Sequence, residues 1–244
     1  MVANGGVPAL IFLAGNGTRL LPHLEEPQRH KSFVPLPDGN TIVSRQIKQL
    51  RTLREEGLIA DIHVVLGNVA EEMEAYIRAI EPGLVVHMNH DYNTTNTAES
   101  ARIGLQEMTE ESVVCINGDV VMDIDILRLS ARDEQNNVAV ICGDIDDECV
   151  KAHFDEQTHM IERLGKQIGG QGEAIGVYKV PRAPMVEFLN GKGLTNKYFD
   201  DVLSIYCEHG GALKAVDVTH LKATEVDEMA DYEAAIAIVE AGVV

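Results

Sequence analysis

A glycine loop, two cations and a carboxylate are the residues of this chain whose types and placing could do chemistry. The loop reads Gly15-Asn16-Gly17-Thr18-Arg19-Leu20 and closes an apolar run, Ala9-Leu10-Ile11-Phe12-Leu13-Ala14. A Gly-x-Gly turn lets backbone approach a ligand without intervening side chains, and its N–H groups form a cradle for phosphate. Arg19 and Lys31 would bring two positive charges to the same end of the element. Asp119 follows a second apolar run, Val113-Val114-Cys115-Ile116, within Asn117-Gly118-Asp119. A carboxylate there, near a phosphate loop, can ligate Mg²⁺ through oxygen. It can equally close a Gly-Asp turn or cap the next helix.

Two familiar glycine loops do not fit. The dinucleotide fingerprint needs a small residue at its sixth position, where this chain has Leu20, preceded by Arg19. The ATPase loop needs Gly-Lys-Ser/Thr, which does not follow Gly15. On the loop alone, a plain strand-to-helix turn with an exposed arginine stays open.

The elements that must position these residues alternate. Short continuous apolar runs, as in a strand buried on both faces, occur at 9–14, 62–66, 84–88, 112–116 and 138–142. Helical patterns fall between them: about 42–56, 69–80, 98–108 and 124–133, the last with Asp123 as a cap. Strand-helix-strand spacing of this kind implies right-handed crossovers. The fold class is α/β, a Rossmann-like mostly parallel sheet with helices on both faces. At about 150–180 the pattern changes to short strands around turns, which predicts a small mixed β subdomain over the sheet, followed by a long strand at 174–180. Helices at about 182–190 and 198–209, a strand at 213–218 and a helix at about 228–241 complete one domain spanning 1–244. Ligands of open α/β sheets lie beyond the carboxyl ends of the strands. The polar segments there are the glycine loop, Asn117 to Asp119, and Thr224-Glu225-Val226-Asp227. Asp227 also reads as a helix N-cap, with Asp231 in the first turn.

Composition narrows the classes. The 244 residues carry 20 Lys and Arg against 39 Asp and Glu, a net charge of −19. That disfavours a nucleic-acid or anionic-membrane surface, but not a nucleotide, whose site needs only local cations and a metal. No apolar run approaches membrane-spanning length, and residues 1–7 lack the features of a signal peptide. None of the four cysteines has metal-pair spacing, which suits a reducing, cytoplasmic setting. His23 and His30 read as surface residues within reach of phosphate. The sequence leaves a homodimer open.

GNGTRL with a downstream lysine resembles the signature of the nucleotidyltransferases that join an NTP to a sugar-1-phosphate or similar acceptor. Two features depart from it: the strand end Phe12-Leu13-Ala14 is bulkier, and His30 stands where the family commonly has proline. Asn117-Gly118-Asp119 and the segment Ala223 to Ala235 match further family motifs in order. Leu164 to Ile168, Gly172 to Lys179, Tyr92 to Ser100 and Tyr198 to Leu203 are most similar to the branch that cytidylylates phosphocholine and phosphonates. The resemblance implies Mg²⁺ held by Asp119 and Asp227. It implies a nucleotide, CTP by the branch, bound through Leu13, Ala14, Gly15, Asn16, Gly17, Thr18, Arg19, Asn96 and Ser100. Arg19 would stabilise the leaving phosphates, Lys31 the α-phosphate, and Lys166 would dock the acceptor phosphate. Tyr92, Glu173, Tyr198 and Asp201 would face the rest of the acceptor. Trp is absent, so an amine or hydroxyl group suits that end better than a trimethylammonium cage. A sugar-1-phosphate nucleotidyltransferase and a non-catalytic nucleotide-binding regulatory module are the alternatives.

Overall fold

The first apolar run forms β1 (Val7–Leu13), buried from Pro8 onward. Its two faces serve two cores. Leu10 and Phe12 pack on one side of the sheet, while Ala9, Ile11 and Leu13 pack on the other, the alternation expected of a strand covered on both faces. The computed structural model describes residues 5–242 apart from 18, 25–27, 144, 147 and 192.

After β1 the chain alternates as the sequence predicts. α1 (Ile42–Glu55) starts at Thr41, whose hydroxyl accepts the Ser44 N–H at 3.2 Å while the Ser44 hydroxyl accepts the Thr41 N–H at 2.8 Å. This reciprocal cap satisfies two amides at the helix start. There follow β2 (Ile59–Leu66), α2 (Ala70–Ile80), β3 (Val85–Met88), α3 (Thr97–Gln106), β4 (Ser112–Asn117) and β5 (Val120–Met122). α4 (Ile124–Arg132) is capped by Asp123, which accepts from the Asp125 N–H at 2.9 Å. The rest comprises β6 (Asn137–Cys142), β7 (Lys151–Phe154), β8 (Ile161–Gly165), β9 (Gly172–Pro181), α5 (Arg182–Leu189), α6 (Phe199–Glu208), β10 (Lys214–Asp217), β11 (Ala223–Glu225) and α7 (Met229–Glu240). No helix among the described residues is long and apolar enough to cross a membrane.

The main sheet runs β10-β6-β9-β4-β1-β2-β3. β9 is antiparallel to both β4 and β6, and the other neighbours along this order are parallel. β1 lies between β2 and β4, so the strand order reverses beside it. That places the topological switch point at the carboxyl ends of β1 and β4. The region at 150–180 is a β7–β8 hairpin whose first strand pairs with the start of β9 at Lys151 and Glu173. The hairpin therefore extends the main sheet beyond β9. α1, α2 and α4 cover the Ile11 face, while α3, α5 and α6 cover the Leu10 face.

β5 and β11, three residues each, have no counterpart among the elements expected from sequence. They pair antiparallel, Val120 opposite Glu225, as a separate two-stranded sheet. A third core of Leu20, Val34, Leu36, Ile42, Val121, Val226, Ala235 and Val239 lies under it.

Phe199 at the start of α6 is fully buried, edge-on to Phe12 at 5.5 Å and to Tyr178 at 5.7 Å. It fixes α6 to both β1 and β9. Phe199→Ala is expected to lower the unfolding free energy by about 3–5 kcal/mol, the range for deleting a buried aromatic ring; denaturant unfolding checks it.

Candidate functional site

The carboxyl ends of β1 and β4 open into a cleft of about 840 Å³. β1 leads into Ala14, Gly15, Asn16 and Gly17 on its wall. Gly17 has φ +58°, and a Cβ there would sit 3.0 Å from the Lys31 Cβ and Cγ. The loop thus packs directly on the Lys31 stem. Gly118 does the same on the β4 side: a Cβ would lie 2.3 Å from the Phe12 carbonyl oxygen, to which the Gly118 N–H donates at 3.1 Å. Leu20, Val121 and Val226 share the third core. Their burial brings the neighbouring Arg19, Asp119 and Asp227 to one place.

Lys31 opens a short 3-10 turn, Lys31–Phe33. Its ammonium sits between two carboxylates, paired with Asp119 Oδ2 and, at 2.7 Å, with Asp227 Oδ1. Arg19 Nη2 takes the other Asp227 oxygen at 2.6 Å. The next residue, Ser32, donates its hydroxyl to the Gly118 carbonyl at 2.7 Å. Burial opposes the charge on Lys31, but Asp119 and Asp227 outweigh it and hold the ammonium above its ordinary pKa. Burial likewise acts against the Asp227 carboxylate, and Lys31, Arg19 and Lys166 overcome it, so that its pKa lies below the usual value.

Asp119 Oδ1 is buried without a hydrogen-bond partner among the described residues. An unpartnered carboxylate oxygen next to a second carboxylate fits a hard divalent cation. Mg²⁺ is commonly held by one or two carboxylates, with water and substrate phosphate completing its shell. Among the described residues no group of three or more His, Cys, Asp or Glu is arranged to hold a metal. Asp119 and Asp227 would hold it as a pair.

The cleft continues past α3 and α6 to the loop after β8. Asn96 caps α3, its side chain accepting the Thr97 N–H at 2.9 Å. Ser100 lies on the first turns of that helix, where its hydroxyl accepts from Asn89 Nδ2 at 3.3 Å. The Thr97 hydroxyl accepts the Phe199 N–H at 2.8 Å, tying the starts of α3 and α6 together. Tyr92, Lys166 and Asp201 line this stretch, and Tyr198 stands 58% exposed at its rim.

One residue expected at the site is elsewhere: Glu173, on β9, faces Cys149 instead of the cleft. The Leu13 side chain is buried in the Ile11-side core, which leaves its backbone to meet a nucleotide. Thr18 lies outside the described residues. Asp227 does not cap α7: Glu228 does. The Asp231 carboxylate accepts the N–H groups of both Asp227 and Glu228, at 3.0 and 2.8 Å, which leaves the Asp227 carboxylate to the cations. His30, expected at the surface, is 2% exposed and lines the cleft.

Two further acidic residues line the cleft, neither given a role of its own from sequence. Glu225 accepts from Asn117 Nδ2 at 2.8 Å; burial, then Asp119 and Asp200, push its pKa well up. Asp200 is buried and takes the Tyr178 hydroxyl as donor; burial raises it to about 6. Their signal was position alone: each lies within a matched motif.

No family model and no curated protein sequence matches the chain. Solved structures do. The inositol-1-phosphate CTP transferase from T. maritima superposes with a TM-score of 0.78 at 19% identity, covering 99% of this chain and 100% of that one. The CTP:phosphocholine cytidylyltransferase LicC from Streptococcus pneumoniae gives 0.75 at 18% identity, over 96% and 99%. A UDP-glucose pyrophosphorylase complexed with UDP-glucose gives 0.72 at 16% identity, over 97% and 98%. The chain has the fold of these nucleotidyltransferases over its whole length, in agreement with the motif order.

Burial lowers the His30 pKa from 6.5 to about 4. The unfolded chain binds this proton first as pH falls, so the stability held by the neutral ring is complete above about 6.5 and declines toward pH 4. Wild-type unfolding free energy is expected to lose about 3 kcal/mol across that window from this group. Denaturant unfolding against pH, with His30→Asn flattening the decline, checks it.

Proposed function

We propose that this chain is a Mg²⁺-dependent nucleotidyltransferase that transfers CMP from CTP to a small phosphate or phosphonate acceptor and releases pyrophosphate. The observation that carries this reading is the meeting of Arg19, Lys31, Asp119 and Asp227 at the switch point of the sheet, although Arg19 and Asp227 lie 208 positions apart. The cytidylyl and acceptor assignments rest on the motif resemblance and on the fold shared with a CTP transferase and a cytidylyltransferase. A reducing, cytoplasmic setting suits the four cysteines, none of which forms a disulfide.

The chemistry needs no protein nucleophile. An acceptor phosphate oxygen attacks the α-phosphorus in line; one P–O bond forms, the bond to the β-phosphate breaks, and pyrophosphate leaves with the electron pair. Catalysis is then positioning and charge neutralisation. The glycine-loop amides and Arg19 hold the triphosphate. Lys31 meets charge at the α-phosphate. Lys166, on the loop after β8, docks the acceptor phosphate, with the β7–β8 hairpin forming that side of the acceptor site. Asn96 and Ser100 border the nucleotide end. Asp119 and Asp227 would hold Mg²⁺, which supplies further neutralisation of phosphate charge. Tyr92, Tyr198 and Asp201 face the non-phosphate part of the acceptor. Asp200, next to Asp201 at the start of α6, adds hydrogen-bonding capacity to that wall, which suits an amine or hydroxyl acceptor.

A pyrophosphate-release screen tests this by crossing CTP, UTP, GTP, ATP and dTTP with phosphocholine, 2-aminoethylphosphonate, inositol-1-phosphate and sugar-1-phosphates. Turnover with CTP and a small phosphate or phosphonate is expected. Turnover only with a sugar-1-phosphate overturns the acceptor assignment, and nucleotide binding without turnover across a broad panel favours a regulatory module. Asp119→Ala and Lys31→Ala are each expected to lower the rate on the order of 10²–10³-fold while staying folded, the usual loss for one electrostatic group. A near-normal rate in either variant removes that residue from the mechanism.

A further inference from the structure

His30 holds the donor that the cleft leaves unused. Its Nδ1 accepts the Ser32 N–H at 3.1 Å. A ring nitrogen that accepts carries no proton, so the imidazole is neutral and its hydrogen is on Nε2. That Nε2 is buried and has no partner among the described residues, although buried donors are almost always matched. The ring lies against the Gly15 and Leu13 carbonyls, which attract its proton without completing a hydrogen bond to Nε2, and it forms part of the cleft wall with Gly17 and Lys31.

The two nearby cations are already engaged. Arg19 pairs with Asp227, and Lys31 with both Asp119 and Asp227. A ligand oxygen arriving at His30 has no ion pair to break first. In the same cleft Asp119 Oδ1 also lacks a partner. One unmatched atom requires an acceptor and the other a donor or a cation. A polyphosphate that arrives with a divalent cation satisfies both, whereas a simple anion or an amine satisfies only one.

We propose that His30 is a binding residue for the phosphate chain of the nucleotide, donating Nε2–H to a phosphate oxygen seated beside the glycine loop. This rests on the nucleotidyltransferase reading. Nε2 is closed to solvent in this structure, so a phosphate oxygen reaches it only with a shift of the Gly15–Gly17 backbone. The backbone amides read phosphate from one side, and the imidazole reads it from the other.

Calorimetric titration of Mg–CTP, Mg–UTP and Mg–ATP into wild type, His30→Asn and His30→Ala tests it. Asparagine can still accept the Ser32 N–H as a cap but lacks the Nε2 donor. Both variants are expected to bind each nucleotide about 10–100-fold more weakly, the loss of one hydrogen bond to a charged group, with the same factor for every base. Affinity within twofold of wild type in variants that keep the wild-type circular dichroism overturns the proposal. So does rescue by asparagine, which would leave capping as the only role, and so does a loss confined to one base. Wild type that binds none of the three nucleotides overturns the nucleotidyltransferase reading instead. A measurement independent of the variants' folding is the imidazole N–H resonance of ¹⁵N-histidine-labelled wild type. The His30 Nε2–H signal is expected to move downfield on addition of Mg–CTP, and an unmoved signal at saturation overturns the proposal.

Discussion

One ammonium between two carboxylates organises this molecule. Lys31 reaches Asp119 at the end of β4 and Asp227 just after β11, and Arg19 takes the remaining Asp227 oxygen. Without the cations, two acidic side chains in a partly buried cleft would repel each other. With them, the two carboxylates lie close together around one ammonium. The two carboxylates that keep Lys31 charged therefore share one small volume of the cleft.

The pairing depends on backbone that is not itself charged. β5 and β11 carry Asp119 and Asp227 at their ends, and the Val226 N–H donates to the Asp119 carbonyl at 3.0 Å. Gly118 can press against Phe12 only because it lacks a side chain. Leu20, Val121 and Val226 then exclude water beneath the site. Partial exclusion strengthens the ion pairs, so this small apolar core and the polar cluster above it support each other.

Much of the fold was legible in local pattern. Continuous apolar runs marked the buried strands, and Asp123 caps α4 as its place before a helical pattern implied. The glycine loop and Asn117-Gly118-Asp119 announced themselves because chemistry confines them to strand ends. What stayed hidden is long-range. β5 and β11 are too short to show a period, and their pairing joins segments about 100 positions apart. The burial of His30 could not be read either: a polar loop residue is ordinarily exposed, and its enclosure comes from the glycine loop folding back over it. Glu173 failed for the opposite reason, since register on β9 turns it away from the cleft and toward Cys149.

The chain separation within the site also has a consequence for its biogenesis. Arg19 and its partner Asp227 are 208 positions apart. At the usual rate of synthesis the glycine loop leaves the ribosome roughly 10–40 s before Asp227 exists. Most of the main sheet has emerged by then, while the polar cluster lacks one of its two anions. The site is therefore completed only as the last helix, α7, emerges and buries Ala235 and Val239 against Leu20 and Val226. Translation order keeps a chain interrupted before Asp227 without its full set of charged residues.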